Sequence, residues 1–170
     1  VTKYILDTKK ILDDVSFCVR RGEILGVAGV EGNGQKEISE IITGLDRIFE
    51  GEVCATPELV DVREQTIRQL REKGVAHISE DRMTYGIVGD GSIEDNIIAD
   101  RYYKPSMKKG LLLDQKKIDS LADELIQEYK VKCDNRTQPI RMLSGGNMQK
   151  VVTAREFTAG ASLIIANQPT

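Results

Sequence analysis

Between Glu23 and Thr43 the chain runs from an apolar stretch through a glycine-rich turn into a helical pattern, and this order constrains the fold more than any other stretch. Glu23 to Ala28 reads as a strand. The turn that follows carries Gly29, Gly32 and Gly34. Glu37 to Thr43 then sets Ile38, Ile41 and Ile42 at helical spacing, with Gly44 as a C-terminal stop. Strand, glycine loop and helix in this order form the context that a phosphate-binding loop requires. Glycines there let backbone N–H groups turn toward an anion at a helix N-terminus, where the helix dipole also favours negative charge.

The rest of the chain continues the alternation. Val15 to Val19 reads as a half-buried strand, Gln65 to Lys73 as a helix ended by Gly74, and Val75 to Ile78 as a short strand. Ser92-Ile-Glu-Asp has the form of a capping box. Tyr102 to Gly110 is polar, basic and interrupted by Pro105, and reads as a loop. A helix from Asp114 to about Tyr129 lines up Ile118, Leu121, Leu125 and Ile126 on one stripe. Asn147 to Phe157 is a further helix, and Leu163 to Ala166 a buried strand. Strands alternating with helices predict an α/β core on a parallel sheet. The expected core is residues 1–89 and 143–170, with residues 90–142 as a helical subdomain. No internal repeat or low-complexity linker divides the chain.

Composition narrows the function. A chain of 170 residues fits one domain, and 40% hydrophobic with 30% charged residues is ordinary for a soluble protein. The net charge of −3 is no footprint for nucleic acid, which calls for a basic patch or stripe. Cys18, Cys54 and Cys133 lie far apart without a CxxC pair, so zinc is not expected, and buried free thiols in a reducing compartment are. No apolar run approaches the ~18 residues that span a bilayer, and no secretory signal opens the sequence, so a cytosolic location is expected.

Three strings carry the chemistry. A phosphate loop of the form G-x-x-x-x-G-K-[ST] is matched in spacing by Gly29, Val30, Glu31, Gly32, Asn33 and Gly34. Gln35 stands where that pattern has its lysine, and Lys36 where it has a hydroxyl; Glu37 follows. A shift of one residue turns a helical side chain by ~100°, so Lys36 need not replace the lysine. Leu143-Ser-Gly-Gly-Asn-Met-Gln opens a helix with a hydroxyl and two exposed backbone amides, an anion site by the same physics, or else an ordinary Ser-Gly-Gly helix entry. Leu163-Ile-Ile-Ala-Asn-Gln-Pro-Thr is an apolar strand ending in two amides, Asn167 and Gln168.

Together these strings resemble the second nucleotide-binding domain of bacterial ABC importers for simple sugars and nucleosides. The likeness runs along the chain: Leu12-Asp-Asp-Val-Ser-Phe, Gly22-Glu-Ile-Leu-Gly-Val-Ala-Gly, Gly32-Asn-Gly-Gln, Ile78-Ser-Glu-Asp-Arg, Tyr102-Tyr-Lys-Pro, Leu143-Ser-Gly-Gly-Asn and Ala166-Asn-Gln-Pro-Thr. The Ile-Ser-Glu-Asp-Arg string points to second domains, and Tyr-Tyr-Lys-Pro with the amides to the nucleoside branch.

The resemblance implies a P-loop NTPase-like ABC core with a helical subdomain, truncated after the Walker B strand, before the D-loop and switch histidine. It implies that Gly29 to Glu37 line ATP phosphates and that Tyr4 stacks on adenine. Ser144, Gly145, Gly146 and Asn147 would contact ATP held by the opposite domain. Glu80 would occupy the Q-loop position. Asn167 and Gln168 would replace the acids that serve metal and water. With Lys36, Asn167 and Gln168 at those positions, any bound ATP is expected to use little magnesium and to draw part of its countercharge from Lys36, or else the site, released from hydrolysis, has simply lost its parts by drift. The implied partners are a second nucleotide-binding domain, permease subunits and, indirectly, a solute-binding lipoprotein, at the inner face of the plasma membrane. Two further readings stand beside this one: an ATPase active in its own right, and a non-transport ABC protein acting on nucleic acid.

Overall fold

Two separate sets of side chains are shut away from water, and they belong to two compact units, residues 1–76 and 77–170. The computed structural model describes residues 1–5 and 9–168.

The first unit opens with strands β1 (Lys3–Ile5) and β2 (Lys9–Leu12), paired antiparallel with a register shift between Lys3 and Tyr4. Helix α1 (Gln35–Ile42) turns Ile41 and Ser39 inward and stops at Gly44, which holds φ +74. Helix α2 (Ile67–Glu72) starts from Thr66, whose hydroxyl accepts the Gln69 N–H while the Gln69 side chain takes the Thr66 N–H. Leu12, Ile41, Val62 and Leu70 form the buried centre. A polar clip closes the unit. The Asp61 carboxylate accepts from Arg63 Nε and Nη2, each at 2.9 Å, and Arg63 also donates to the Gly51 carbonyl at 2.7 Å.

The strands expected at 15–19 and 23–28 are not formed. Among the described residues neither segment has a ladder partner, and Ile24 is 97% and Val27 55% exposed. Apolar runs give a segment a face to bury, but a strand exists only where another backbone answers its N–H and C=O groups.

Strand β3 (Val75–Ile78) crosses the boundary and is the hydrogen-bonded neighbour of β6 (Leu163–Ala166). Between them in sequence lie α3 (Ile93–Ile98), the hairpin β4 (Lys108–Lys109) and β5 (Leu112–Leu113), α4 (Gln115–Glu128) and α5 (Gly145–Phe157). The capping box at Ser92 is present, closed by Asp95. α3, α4 and α5 pack on one another around Ile93, Ile97, Ile118, Ala122, Leu125, Ile140, Val151 and Val152. The helical middle expected at 90–142 lies wholly inside this second unit.

Three expectations need correction here. The stretch read as a loop at 102–110 contains a 3-10 turn, Pro105–Met107, and then β4. β6 forms, but it is not buried: accessibility alternates along it and Ile164 is 41% exposed, because it has one covered face rather than two. The cysteines are free, yet Cys18 and Cys54 are exposed and Cys133 only half-buried. Among the described residues, no helix is long and apolar enough to cross a membrane.

The clip sets an acid dependence. The Arg63 side chain, against the opposing effect of burial, lowers the Asp61 carboxyl to about 2. Its unfolded value is about 3.9. The stabilisation is therefore complete above pH ~4 and is lost as pH falls toward ~2. Urea unfolding of the wild type and Asp61→Asn at a series of pH values checks this. The stability gap should hold steady at neutral pH and close across that acid window.

Candidate functional site

Gly34 determines how the loop at 29–37 meets α1. It is the N-cap of the helix at φ +98, a conformation that side chains rarely adopt. A Cβ there would sit 2.6 Å from Leu12 Cδ2 and 3.0 Å from the Ile11 carbonyl oxygen, so the loop rests directly on the end of β2. Gly32, at φ +85, faces open space, and Val30, Glu31 and Asn33 are exposed. The N–H groups of the first turn of α1 have no acceptor upstream in the helix, and the cap has no side chain to offer. They leave this helix end with backbone donors only, at the positive end of the helix dipole.

The side chains beside that end do not add a cation aimed at it. Gln35 folds back over the loop: its Nε2 donates to the Val30 carbonyl at 3.3 Å and lies directly over Gly29. The Lys36 ammonium lies 3.7 Å from Glu40 Oε1, one turn further along the helix. Tyr4, on β1, is 37% exposed and has the Lys10 ammonium 6.0 Å from its ring centroid.

In the second unit, β6 delivers Asn167 and Gln168 beside Glu80. The Asn167 N–H donates to the Ile78 carbonyl at 2.9 Å, continuing the pairing with β3. Gln168 takes φ +44, and its Nε2 donates to Glu80 Oε1 at 2.6 Å. The amide at the end of one strand thus holds the carboxylate that follows the other. Pro169 and Thr170, which end that string, lie outside the described residues.

The start of α5 is a second helix end without a side-chain cap bond, built differently. Ser144 is its N-cap in extended conformation, but its hydroxyl bonds to no first-turn N–H. Instead Ser144 Oγ accepts from Asn147 Nδ2 at 3.0 Å, and Asn147 Oδ1 accepts the Lys132 N–H at 3.0 Å. Asn147 therefore spends its amide on fixing the hydroxyl and the preceding segment, and the helix amides stay without a side-chain cap. Ser144 and Gly146 are exposed, and a Cβ on Gly146 would meet nothing.

Arg82 joins this end, and sequence reasoning missed its role. Its Nη2 lies 2.9 Å from where a Cβ on Gly145 would stand. Gly145 has no positive φ, and with no side chain of its own it lets the guanidinium lie close over the start of the helix. Arg82 Nη1 donates to Gln149 Oε1 at 3.5 Å, and among the described residues no carboxylate pairs with it. Cation and helix N-terminus both favour an anion at this point. The sequence signal was only the Arg closing Ile78-Ser-Glu-Asp-Arg; the contact joins segments far apart in the chain.

Residues 12–170 match the ABC transporter family. The chain is 41% identical to the nucleoside import ATP-binding protein NupA of Lactococcus lactis subsp. cremoris over 92% of its length, which is 30% of that protein. It is 38% identical to the guanosine import ATP-binding protein NupO of Bacillus subtilis over 98% of its length, 32% of that protein. A putative ribose/galactose/methyl galactoside import ATP-binding protein of Albidiferax ferrireducens is 36% identical, with 97% of this chain and 32% of that protein covered. The chain thus spans about a third of the length of these curated relatives. Among solved structures it is similar to a dimeric ATP-binding cassette in a post-hydrolysis state bound to ADP and Pi, with a TM-score of 0.79 and 22% identity, covering 100% of this chain and 72% of that one. A nucleotide-free ATP-binding cassette from an ABC transporter gives 0.76 at 21% identity, covering 100% and 67%. The chain belongs to the ABC transporter family and has the α/β fold of its ATP-binding cassettes, a P-loop NTPase architecture with a parallel sheet and flanking helices.

Proposed function

We propose that this chain is the second ATP-binding cassette of a bacterial importer for nucleosides or simple sugars, and that its main service is to its partner cassette. Ser144 to Asn147 would close on the γ-phosphate of ATP held by that partner. The observation that carries this reading is the contrast between the two helix ends. At α1, Gln35 is folded onto Val30 and Lys36 is turned to Glu40. At α5, an exposed hydroxyl, uncapped amides and the Arg82 guanidinium converge. Pre-placed donors of that kind stabilise charge that develops on a transferring phosphoryl group. Permease subunits and, through them, a solute-binding lipoprotein are the further partners, at the inner face of the plasma membrane. Nucleic acid is not one.

ATP fits the loop at 29–37 through its backbone donors. Magnesium does not fit the chain's residues. In this fold it is held by a loop hydroxyl and a strand carboxylate. The corresponding positions here are Lys36 and Asn167, a cation and an amide, and Gln168 follows Asn167 in the sequence. Backbone amides rather than Lys36 would meet most of the phosphate charge. The affinity for ATP should accordingly change by less than about tenfold on adding magnesium, as read by calorimetric titration with and without the metal. Gly34→Ala should weaken that binding and cost ~1–3 kcal/mol of stability, since it forces a Cβ into φ +98 against Leu12.

One observation favours a second reading, hydrolysis at this cassette's own site: Glu80 supplies a carboxylate held by Gln168 at 2.6 Å. Slow turnover by the chain alone, abolished by Gly34→Ala, would establish it.

The deciding experiment is ATP hydrolysis by the intact transporter carrying Ser144→Arg. A bulky cation among the α5 donors should block the partner's site and lower the rate by roughly two orders of magnitude or more, the scale of losing preorganised donors. An unchanged rate would overturn the proposal and leave this cassette as a scaffold.

A further inference from the structure

The β4–β5 hairpin has two residues in each strand, joined by Gly110 at φ +65 and Leu111. Its register sets Lys108 opposite Leu113 and Lys109 opposite Leu112. A two-stranded ladder is marginal in water unless something covers it. Here the apolar residues face outward: Leu111 is 101%, Leu112 75% and Leu113 46% exposed. A single exposed leucine needs no explanation, but three in succession at a turn, the first two largely uncovered, form an apolar patch.

The charge around that patch is one-sided. From residue 104 to residue 117 the sequence holds Lys104, Lys108, Lys109, Lys116 and Lys117 against Asp114 alone, in a chain whose net charge is −3. Among the described residues, no carboxylate pairs with Lys104, Lys108, Lys109 or Lys116. Lys117 donates to the Ser106 carbonyl at 3.1 Å and lies 3.8 Å from Asp114. Lys108, Lys109, Lys116 and Lys117 border a shallow groove of about 670 Å³ beside the hairpin, which Asp114 and Glu124 also line.

We propose that this hairpin is a foot that rests on an anionic membrane surface. Leu111 to Leu113 enter the boundary between headgroups and acyl chains, and the lysines before and after them hold anionic headgroups. The favoured occupant is a bilayer rather than a protein for two reasons. Leu111 is fully exposed, and a fluid phase covers such a tip without a matched socket. The lysines flank the apolar tip on both sides in sequence, and their long stems let the ammonium groups reach headgroups while the leucines stay immersed. The proposal does not depend on any nucleotide chemistry.

Co-sedimentation of the 170-residue chain with vesicles tests it. Phosphatidylcholine vesicles are compared with vesicles that also contain phosphatidylglycerol. Binding is expected to the anionic vesicles, weakening as salt is raised, with little binding to the neutral ones. Lys108→Glu with Lys109→Glu should lower it by about 25-fold or more, at about fivefold per lysine near an anionic surface. Leu111→Asp with Leu112→Asp should lower it by at least about tenfold. Both pairs lie on exposed positions, so the far-UV circular dichroism should match the wild type. Equal binding by wild type and variants overturns the proposal, as does an absence of binding to anionic vesicles. If the wild type ignores lipid while the leucine variant loses its permease in detergent, the surface is a protein contact and the proposal is wrong.

Discussion

Glu156 is 1% exposed, and the second unit is organised around the way its carboxylate is met. It accepts from Arg155 Nε at 2.9 Å and from the His77 N–H of β3 at 3.3 Å. Arg155 in turn donates to the Asn96 carbonyl of α3, and Arg101 bonds to the Arg155 carbonyl and to Thr158 near the end of α5. Removing one member would leave a buried charge or polar group without its partner, which costs far more than the intact network gains. The network therefore acts through geometry. It ties α5 to β3 and α3, so the axis of the helix, and with it the direction in which Ser144 points, is decided at the opposite end of the helix from Ser144.

With α5 held from behind, its N-terminus is free to be a binding surface. Asn147 is the residue that keeps it so. In a common cap the hydroxyl of Ser144 would accept from the helix amides, but here it accepts from Asn147 and makes no cap bond, so the amides have no side-chain acceptor. Arg82 then adds a charge beside donors that are already positive in sense. The loop before α1 has the opposite history: its glycines keep the backbone open, while Gln35 closes over it from within. Two helix ends with the same electrostatics thus differ in what one neighbouring amide does at each.

Much of the fold was legible because it depends on local chemistry. Thr66 and Ser92 announce their helices by capping, Gly44 ends another, and the stripe of Ile118, Leu121, Leu125 and Ile126 locates α4 along its whole length. What misled was the inference from apolar runs to strands. Ile24 and Val27 have the composition of a central strand but find no ladder partner among the described residues, and β6 has only one face covered. The β4–β5 ladder, hidden in a basic stretch around Pro105, gave no periodicity to read. Of the candidate site, the glycine loop and the Ser144 string were plain from spacing. Arg82 and the bond between Gln168 and Glu80 were not, since no local pattern links residues so distant in the chain.

By itself the amino-acid sequence determined the kinds of groups available: glycines in the loop before α1, amides at the end of β6, a hydroxyl and two glycines at the start of α5. These are properties of residue type and spacing, and they hold whatever the chain packs against. Only the tertiary structure decided how each group is used. It turned Gln35 onto Val30 and Lys36 toward Glu40, gave Gly145 its neighbour in Arg82, and left Leu111 and Leu112 largely exposed. The reason is physical: a hydrogen bond or a buried face needs a second partner, and that partner is supplied by another part of the folded chain.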